Sequence, residues 1–401
     1  MRHTVLQLAT QYLPEVIAIR RHLHQYPELS FEEEQTSAFV ATELDKIGVT
    51  YQRGVAGTGI VALVKGQNPD SSIRALRADM DALPITETND VPYKSRHTGV
   101  MHACGHDVHT AALLGAIRIL HHLRDQWQGT VKCLFQPGEE KVPGGASLMI
   151  KAGALERPAP TSIIGQHVYP VLEAGKVGFR SGIYMASSDE LYITVTGKGG
   201  HGAMPHTTVD PIVIAAHIIT ALQQVVSRNA NPFLPTVLTL GKINSTGGAT
   251  NIIPSEVKIE GTFRAMDEQW RAEAHEKMKK MAEHIAEGMG GSCTFEIAHG
   301  YPVLYNDAPL TARAKARAIE LLGSDRVVEL PLRMTSEDFA FYTHKIPGCF
   351  YRLGTRNEQK GFVSPVHTPS FDIDEAALET GMAMMAFLAM DDDAPIQILN
   401  Q

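Results

Sequence analysis

The stretch CGHDVHTAALLGAIRILHHLRDQWQGTVKCLFQPGEE at 104–140 combines a long apolar run with a short one. TAALLGAIRILHHL at 110–123 has the length and apolar spacing of a buried helix, and VKCLFQP at 131–137 is typical of a buried strand. The same alternation continues on both sides, where we predict strands at 59–64, 72–79 and 162–167. We also predict an N-terminal helix that Pro14 starts or kinks. Its apolar residues at helical spacing are Val5, Leu8, Tyr12, Val16 and Leu23. Alternating strands and helices indicate a mostly parallel sheet covered by helices on both faces.

The middle of the chain has a different order of elements, and we interpret it as an inserted domain at about residues 187–299. Its predicted order is strand, helix, strand, strand, helix, strand, which is the ferredoxin-like unit. These six elements are predicted at 191–197, 210–226, 236–243, 257–264, 268–289 and 293–298. The main domain then resumes, with predicted helices near 310–322 and 374–390 and a strand at 349–353. The expected fold class is α/β, with the main domain formed by 1–186 and 300–401 and an α+β insert at 187–299.

Composition excludes several classes of protein. A chain of 401 residues with 44% hydrophobic and 20% charged residues is expected to form two globular domains. A net charge of −8 without a basic run argues against nucleic-acid binding, and we expect the acidic run at 391–393 to be a solvated end. No apolar stretch approaches the roughly 20 residues of a membrane span, and the first residues lack the features of a signal peptide. Four cysteines do not make a disulfide framework, so we expect a reducing, cytoplasmic location.

Four short segments carry side chains of the types that bind metal ions. They are His102–Asp107, Gln136–Glu140, Gln166–His167 and Val366–Pro369. Asp79, Glu139, Glu140 and His167 come at or just after the ends of predicted strands. In open α/β sheets ligands bind outside the carboxyl ends of the strands, so these side chains are expected to meet at one edge.

Each of these signals has an ordinary alternative when it is taken alone. The pair Cys104-x-His106 is balanced between two metal ligands and a small buried cysteine beside a structural histidine. The pair Glu139-Glu140 is also common on solvated surfaces. Together at strand ends the segments favour a metal site, since adjacent buried carboxylates repel unless a cation lies between them. Asp107 is expected to cap the following helix and to orient a ligating imidazole.

The number of donors predicts a pair of metal ions. The candidate ligands are Cys104, His106, Glu140, His167 and His367. Five donors exceed what one tetrahedral zinc accepts, whereas two metals about 3.5–4 Å apart would use them all and keep open positions for water and substrate. Glu139, next to ligand Glu140, then suits the role of general base.

These residues belong to a series of motifs that resembles a known family, the amidohydrolase branch of the aminoacylase and carboxypeptidase metallopeptidases. That branch includes hippurate hydrolases, N-acyl-amino-acid amidohydrolases and auxin-conjugate hydrolases. The matching motifs run nearly end to end: RRHLHQYPELSFEE at 20–33, RADMDALP at 77–84, MHACGHDVH at 101–109, FQPGEE at 135–140, QHVYP at 166–170, GKGGHGAMPH at 197–206, NIIP at 251–254, GTFR at 261–264, MTSEDFAFY at 334–342 and VHTPSFDIDE at 366–375.

The resemblance implies the same five metal ligands and the same base, Glu139. It places Asp79 and Asp81 behind the ligands, and it makes the main domain catalytic and the insert a lid that also mediates dimerisation. His201 resembles a lid histidine that stabilises the tetrahedral oxyanion, and Asn251 and Arg264 resemble substrate contacts. The ordinary alternatives are a tight turn around His201 and a structural ion pair for Arg264.

The expected activity is metal-dependent hydrolysis of N-acyl or N-aroyl amino acids, with two divalent ions per subunit. The donor types suit zinc, manganese, cobalt or nickel equally. A dipeptidase or carboxypeptidase using the same site is the near alternative, and a catalytically silent binding protein is the alternative from another class. We expect a small-molecule substrate, a homodimer or homotetramer formed through the lid, and no nucleic-acid or membrane partner.

Overall fold

Residues 1–390 are described by the computed structural model, and the acidic run at 391–393 lies outside them. The chain divides into two units. Within the described residues, the first unit comprises Met1–Gly182, Tyr305–Pro331 and 338–390, and the second comprises Ile183–Leu304 and Leu332–Glu337. The short second piece joins the second unit because Arg333 exchanges backbone hydrogen bonds with the chain at Tyr184 and Ala186.

The strands in the described part of the chain are numbered in sequence order. They are β1 Thr50–Val55, β2 Gly59–Lys65, β3 Ile73–Asp79, β4 Thr130–Gln136, β5 Ser162–Glu173, β6 Val177–Phe179, β7 Gly182–Met185, β8 Asp189–Thr196, β9 Gly200–His201, β10 Thr236–Ser245, β11 Ile252–Ile253, β12 Glu256–Ala265, β13 Ser292–His299, β14 Leu304–Asn306, β15 Val327–Glu329 and β16 Gly348–Arg356.

The helices are numbered in the same way. They are α1 Arg2–Gln25, α2 Glu34–Ile47, α3 His106–His122, α4 Gly145–Lys151, α5 Pro211–Gln224, α6 Glu268–Gly288, α7 Ala308–Leu322, α8 Ala340–Thr343 and α9 Ala377–Ala389. The predicted N-terminal helix is present, but it begins at Arg2 and contains Pro14. The prediction that Pro14 could start this helix is therefore wrong.

The first unit is built on an eight-stranded sheet with the order β1-β2-β4-β3-β5-β16-β6-β15. The central strands β4, β3, β5 and β16 are parallel to their neighbours within this group, while β1 and β2 add an antiparallel edge. Helices α1, α3 and α9 bury their apolar faces in the core of this unit. The mostly parallel α/β fold predicted for the main domain is confirmed.

The parallel register brings the predicted site residues to one level. Asp79 ends β3 and lies opposite Gln136, the last residue of β4. Strand β5 continues well beyond His167, so this residue is not at a strand end as predicted. The pairing of Arg77 with Gly165 nevertheless places His167 level with the end of β3. The sheet edge expected from the sequence therefore exists, although one of its strands is longer.

The second unit contains the order β8-α5-β10-β12-α6-β13 that the sequence predicts. Its four strands form an antiparallel sheet in the order β10-β12-β8-β13, the strand arrangement of the ferredoxin-like unit. Both α5 and α6 contribute buried residues to a separate core with this sheet.

One helical segment of the described chain is long and apolar enough to span a membrane, contrary to the expectation that no apolar stretch approaches this length. It is Pro211–Asn229, which comprises α5 and the π-helical turn Val225–Asn229 that follows it, with a mean hydropathy of 1.2. Ile214, Ile218 and Leu222 on its inner face are fully or almost fully buried in the second core. We therefore assign the segment to the packing of the second unit.

Asp189 at the start of β8 gives the second unit a pH-dependent stability. Its carboxylate accepts hydrogen bonds from Arg271 (2.8 and 2.5 Å) and from His275 (2.9 Å). Burial favours the neutral acid, but these hydrogen bonds outweigh it and lower the pKa of Asp189 from 3.8 to about 2. Since one pKa unit is about 1.4 kcal/mol, the shift contributes about 2 kcal/mol at neutral pH.

The contribution of Asp189 should be complete above pH about 4, the ordinary pKa of the group, and lost as the pH falls towards 2. We expect Asp189→Asn to lower the free energy of unfolding at pH 7 and to approach the wild-type value near pH 2. Urea unfolding across this range measures the difference. Glu190→Gln, at the exposed neighbouring position, is the control and should change stability little at either pH. A constant difference between Asp189→Asn and wild type at all pH values would contradict the assignment.

Candidate active site

The candidate site lies at the carboxyl edge of the parallel strands of the first unit. Cys104 comes just before α3, and His106 is the first residue of that helix. Gly105 between them has φ +83°, a left-handed backbone that glycine adopts without strain. This turn allows two donors separated by one residue to face the same region.

The first ligand group consists of Cys104, His106 and His167, whose donor atoms lie within 4.8 Å of one another. The Sγ of Cys104 is 3.4 Å from Nε2 of His167. Nδ1 of His167 donates to the carbonyl oxygen of Val168 at 2.8 Å, and Nδ1 of His106 donates to that of Asp81 at 2.8 Å. Both imidazoles therefore have an Nε2 lone pair available for a metal ion.

The second ligand group consists of Cys104, Glu140 and His367, with donor atoms within the same 4.8 Å limit. Nε2 of His367 is 3.1 Å from Oε1 of Glu140. His367 has φ +63°, a strained backbone for a side chain of this size, and its N–H donates to the carbonyl of Ala103 at 2.7 Å. That hydrogen bond fixes the loop of His367 beside Cys104.

Cys104 belongs to both groups, so its sulfur lies where two metal ions would meet. Burial and the nearby Glu140 raise the pKa of the Cys104 thiol. Metal ions coordinate the thiolate, so binding would release this proton.

The residues present fit a pair of divalent cations. Nε2 of His106 is buried, and within residues 1–390 it has no hydrogen-bond partner. Oε1 of Glu140 is also buried and lies 3.1 Å from Nε2 of His367, another candidate ligand. Buried polar atoms without a partner are rare in folded proteins, and a cation satisfies both an imidazole lone pair and a carboxylate. Because thiolate, imidazole and carboxylate donors converge here, the ligand set predicted from the sequence is geometrically able to hold metal.

His109 and Asp79 lie beside this site, but their atoms are engaged elsewhere. His109 donates from Nδ1 to Asp79 at 2.6 Å and accepts at Nε2 from the N–H of Val168 at 2.9 Å. Burial opposes ionisation of Asp79, yet Arg77 and the two nearby imidazoles of His106 and His109 hold the pKa of its carboxyl well below the usual value. Asp79 therefore acts as a buried anion that orients His109.

Asp81 contacts two ligand segments at once. Its Oδ1 is 3.2 Å from Nδ1 of His106, and its Oδ2 accepts the backbone N–H of Glu140 at 2.9 Å. These contacts match the supporting position that the family resemblance implies for Asp81.

Glu139 is buried, and one of its carboxylate oxygens accepts the N–H of Asp338 at 3.3 Å. Its carboxylate lies within 4.8 Å of donor atoms of His106 and Glu140. A carboxylate at this distance from the ligands is well placed to exchange a proton with a water molecule bound among them.

The role predicted for Asp107 was wrong. Helix α3 begins without a side-chain cap, and Asp107 lies in its first turn. Its carboxylate instead accepts hydrogen bonds from Arg20 and His24, both at 2.8 Å and all buried. The sequence could not show this pairing because the partners are more than 80 residues apart.

The three other predicted site residues lie in the second unit. His201 is exposed on β9, which pairs with β11 directly after Asn251. The carbonyl of Asn251 accepts the N–H of Gly202 at 2.7 Å, so the predicted His201 and Asn251 are neighbours. Arg264 on β12 donates to the hydroxyl of Ser336 at 2.9 Å. Arg264 therefore makes a hydrogen bond to a neutral side chain, and not the structural ion pair that was the ordinary alternative.

Comparison with known proteins matches the family model described as peptidase family M20/M25/M40 over residues 75–391. The chain is 42% identical to an N-acyl-L-amino acid amidohydrolase of Geobacillus stearothermophilus over 80% of this chain and 87% of the relative. It is 39% identical to thermostable carboxypeptidase 2 of Saccharolobus solfataricus over 94% of both chains. The crystal structure of a dinuclear metal-binding peptidase of the M20 family from Bacillus subtilis superposes with a TM-score of 0.82, at 34% identity over 95% of this chain and 98% of that one. The protein is therefore a hydrolase that belongs to peptidase family M20/M25/M40.

Proposed function

We propose that the protein hydrolyses the amide bond of N-acyl or N-aroyl amino acids with two divalent metal ions. Cys104, His106 and His167 would hold one ion, and Cys104, Glu140 and His367 the other. The observation that carries the proposal is the shared Cys104 sulfur with Glu139 beside both groups. The likeness to a dinuclear metal-binding peptidase supports two ions, and zinc, manganese, cobalt and nickel all remain compatible with the donors.

The chain's own residues account for the proton transfers. When bound, the metal pair would polarise the substrate carbonyl and favour ionisation of water. Glu139 accepts a proton from the water whose oxygen attacks the carbonyl carbon. It then delivers this proton to the amide nitrogen as the carbon–nitrogen bond breaks, which yields a carboxylic acid and a free amine. The buried surroundings of Glu139 keep this proton from bulk solvent.

The second unit supplies the remaining proposed roles. The exposed His201 would stabilise the oxyanion, and Asn251 and Arg264 would contact substrate, with the planar guanidinium suited to a carboxylate. Apolar side chains on this unit are exposed at Ile212, Val213, Val237 and Ile243. We infer that the second unit mediates dimerisation, and sedimentation of the purified protein tests this. We also infer that the protein is cytoplasmic.

The substrate class is tested with hippurate, N-acetyl-methionine, N-acetyl-diaminopimelate and a set of dipeptides, using metal-loaded protein. We expect a higher kcat/KM for at least one N-acyl amino acid than for every dipeptide. The likeness to a carboxypeptidase makes peptide hydrolysis the second candidate. Equal or faster turnover of dipeptides would favour that candidate, and no turnover of any substrate would contradict amide hydrolysis.

A further inference from the structure

The motif LSFEE at 29–33 lies against the candidate site, although neither the ligand set nor the base includes it. Glu33 is completely buried. Its Oε1 accepts the N–H of Gly138 at 2.8 Å and the N–H of Phe31 at 2.9 Å, and its Oε2 accepts the hydroxyl of Thr58 at 2.6 Å. One carboxylate thus ties the residue preceding Glu139 to two other segments of the chain.

The ring of Phe31 supports the same loop. Phe31 has φ +69° and Gly138 has φ +57°, both in the left-handed region. A side-chain carbon at Gly138 would overlap the Phe31 ring, so the ring lies directly against the loop backbone. The hydrogen bond from Phe31 to Glu33 stabilises the unusual conformation of Phe31. The loop is therefore held by polar and apolar contacts from one short segment.

Ser30 reaches the metal ligands through Asp81. Its hydroxyl donates to Oδ2 of Asp81 at 2.6 Å. The same oxygen accepts the N–H of Glu140, and the other lies beside the ring nitrogen of His106. Ser30 therefore fixes a carboxylate that contacts a ligand of each metal group.

We propose that Glu33 and Ser30 are positioning residues of the active site, Glu33 for the base and Ser30 for the metal ligands. Glu33 acts through Gly138 on Glu139, and Ser30 acts through Asp81 on His106 and Glu140. This inference rests on the proposed function, since it assigns the roles of base and ligands. Loops between a strand and a helix are mobile unless they are anchored, and a displacement of about 1 Å at a reacting group can cost about 100-fold in rate.

The test for Glu33 compares Glu33→Ala with Glu33→Gln. The alanine variant lacks the acceptor for Gly138, and we expect kcat to fall by about 10- to 100-fold while KM and metal affinity change by less than about threefold. Glutamine keeps an amide oxygen that can accept both N–H groups, so this variant should retain most of kcat. Glu32→Ala, at the exposed preceding position, is the matched control and should behave as wild type.

Hydrogen exchange provides a readout that does not depend on activity. The Gly138 amide should exchange faster in Glu33→Ala than in wild type, and at nearly the wild-type rate in Glu33→Gln. Wild-type protein without amidase activity would contradict the proposed function, while the exchange result would still report on the anchoring. Unchanged kcat or unchanged Gly138 exchange in Glu33→Ala would overturn the role of Glu33. If the alanine variant does not fold, loss of kcat in a folded Glu33→Gln protein with a slowly exchanging Gly138 would also overturn it.

Ser30 is tested by metal affinity. We expect Ser30→Ala to bind zinc about 10- to 100-fold more weakly, with kcat near the wild-type value at saturating metal. Ser37→Ala, a buried serine of α2, controls for loss of a hydroxyl from this region. Unchanged zinc affinity in Ser30→Ala, measured by competition with a chromophoric chelator, would overturn the role of Ser30.

Discussion

Glu139→Gln should lower kcat by about 10²- to 10⁴-fold, the usual contribution of a general base, while metal content stays at the wild-type level. Glutamine has nearly the same shape as glutamate but cannot take a proton from water. The carboxylate of Glu139 is buried and lies within 4.8 Å of donor atoms of His106 and Glu140. Its loss should therefore affect the proton transfer more than the binding of metal or substrate.

Steady-state kinetics with metal-loaded protein measures this effect, and elemental analysis confirms that the ions are present. Glu156→Gln is the matched control, since it makes the same change at an exposed position of the same unit. Hydrolysis at the wild-type rate in Glu139→Gln would show that another group is the base. Wild-type turnover is measured in parallel, because a wild-type protein without turnover would favour the catalytically silent alternative.

Cys104→Ala should bind metal more weakly than any variant of a ligand that belongs to a single group, and it should be inactive at ordinary metal concentrations. The reason is that the Cys104 sulfur is the donor common to both groups, so one substitution removes a ligand from each ion. Elemental analysis after dialysis and isothermal titration with zinc measure the loss.

Cys133→Ala is the matched control for Cys104→Ala. Cys133 is a buried thiol in β4 of the same unit, so its removal leaves a comparable space in the core without touching a candidate ligand. We expect this control to keep its metal and its activity. A Cys104→Ala protein with full metal content and activity would show that Cys104 is not a ligand shared by two metal ions.

Much of the fold could be predicted because its central elements have strong sequence signals. Strands β3 and β4 and helix α3 are rich in apolar residues and are buried almost throughout. Strand β1 was missed because four of its six residues are exposed, which leaves no alternation of apolar and polar residues. Helix α2 was also missed, although Gly48 in the left-handed conformation directly after it is a recognisable stop signal. Short strands such as β6 and β15, with three residues each, carry too little pattern to be predicted.

The candidate ligands could be predicted as a set because thiolate, imidazole and carboxylate side chains cluster in a few short motifs. The sequence could not show which nitrogen of each histidine is available, since the hydrogen bonds from His106 and His167 to backbone carbonyls set this. It also could not show that both nitrogens of His109 are occupied. The positioning contacts of Ser30 and Glu33 join segments 51 to 105 residues apart, and only the fold brings such segments together.

The most direct test of the central claim is a metal titration of the metal-free protein in which hydrolysis of an N-acyl amino acid is followed at each step. If two ions share the Cys104 sulfur beside the base Glu139, activity should appear with added zinc or manganese and reach its plateau at about two equivalents per chain. A plateau at one equivalent, or hydrolysis that does not depend on added metal, would contradict the two-metal site.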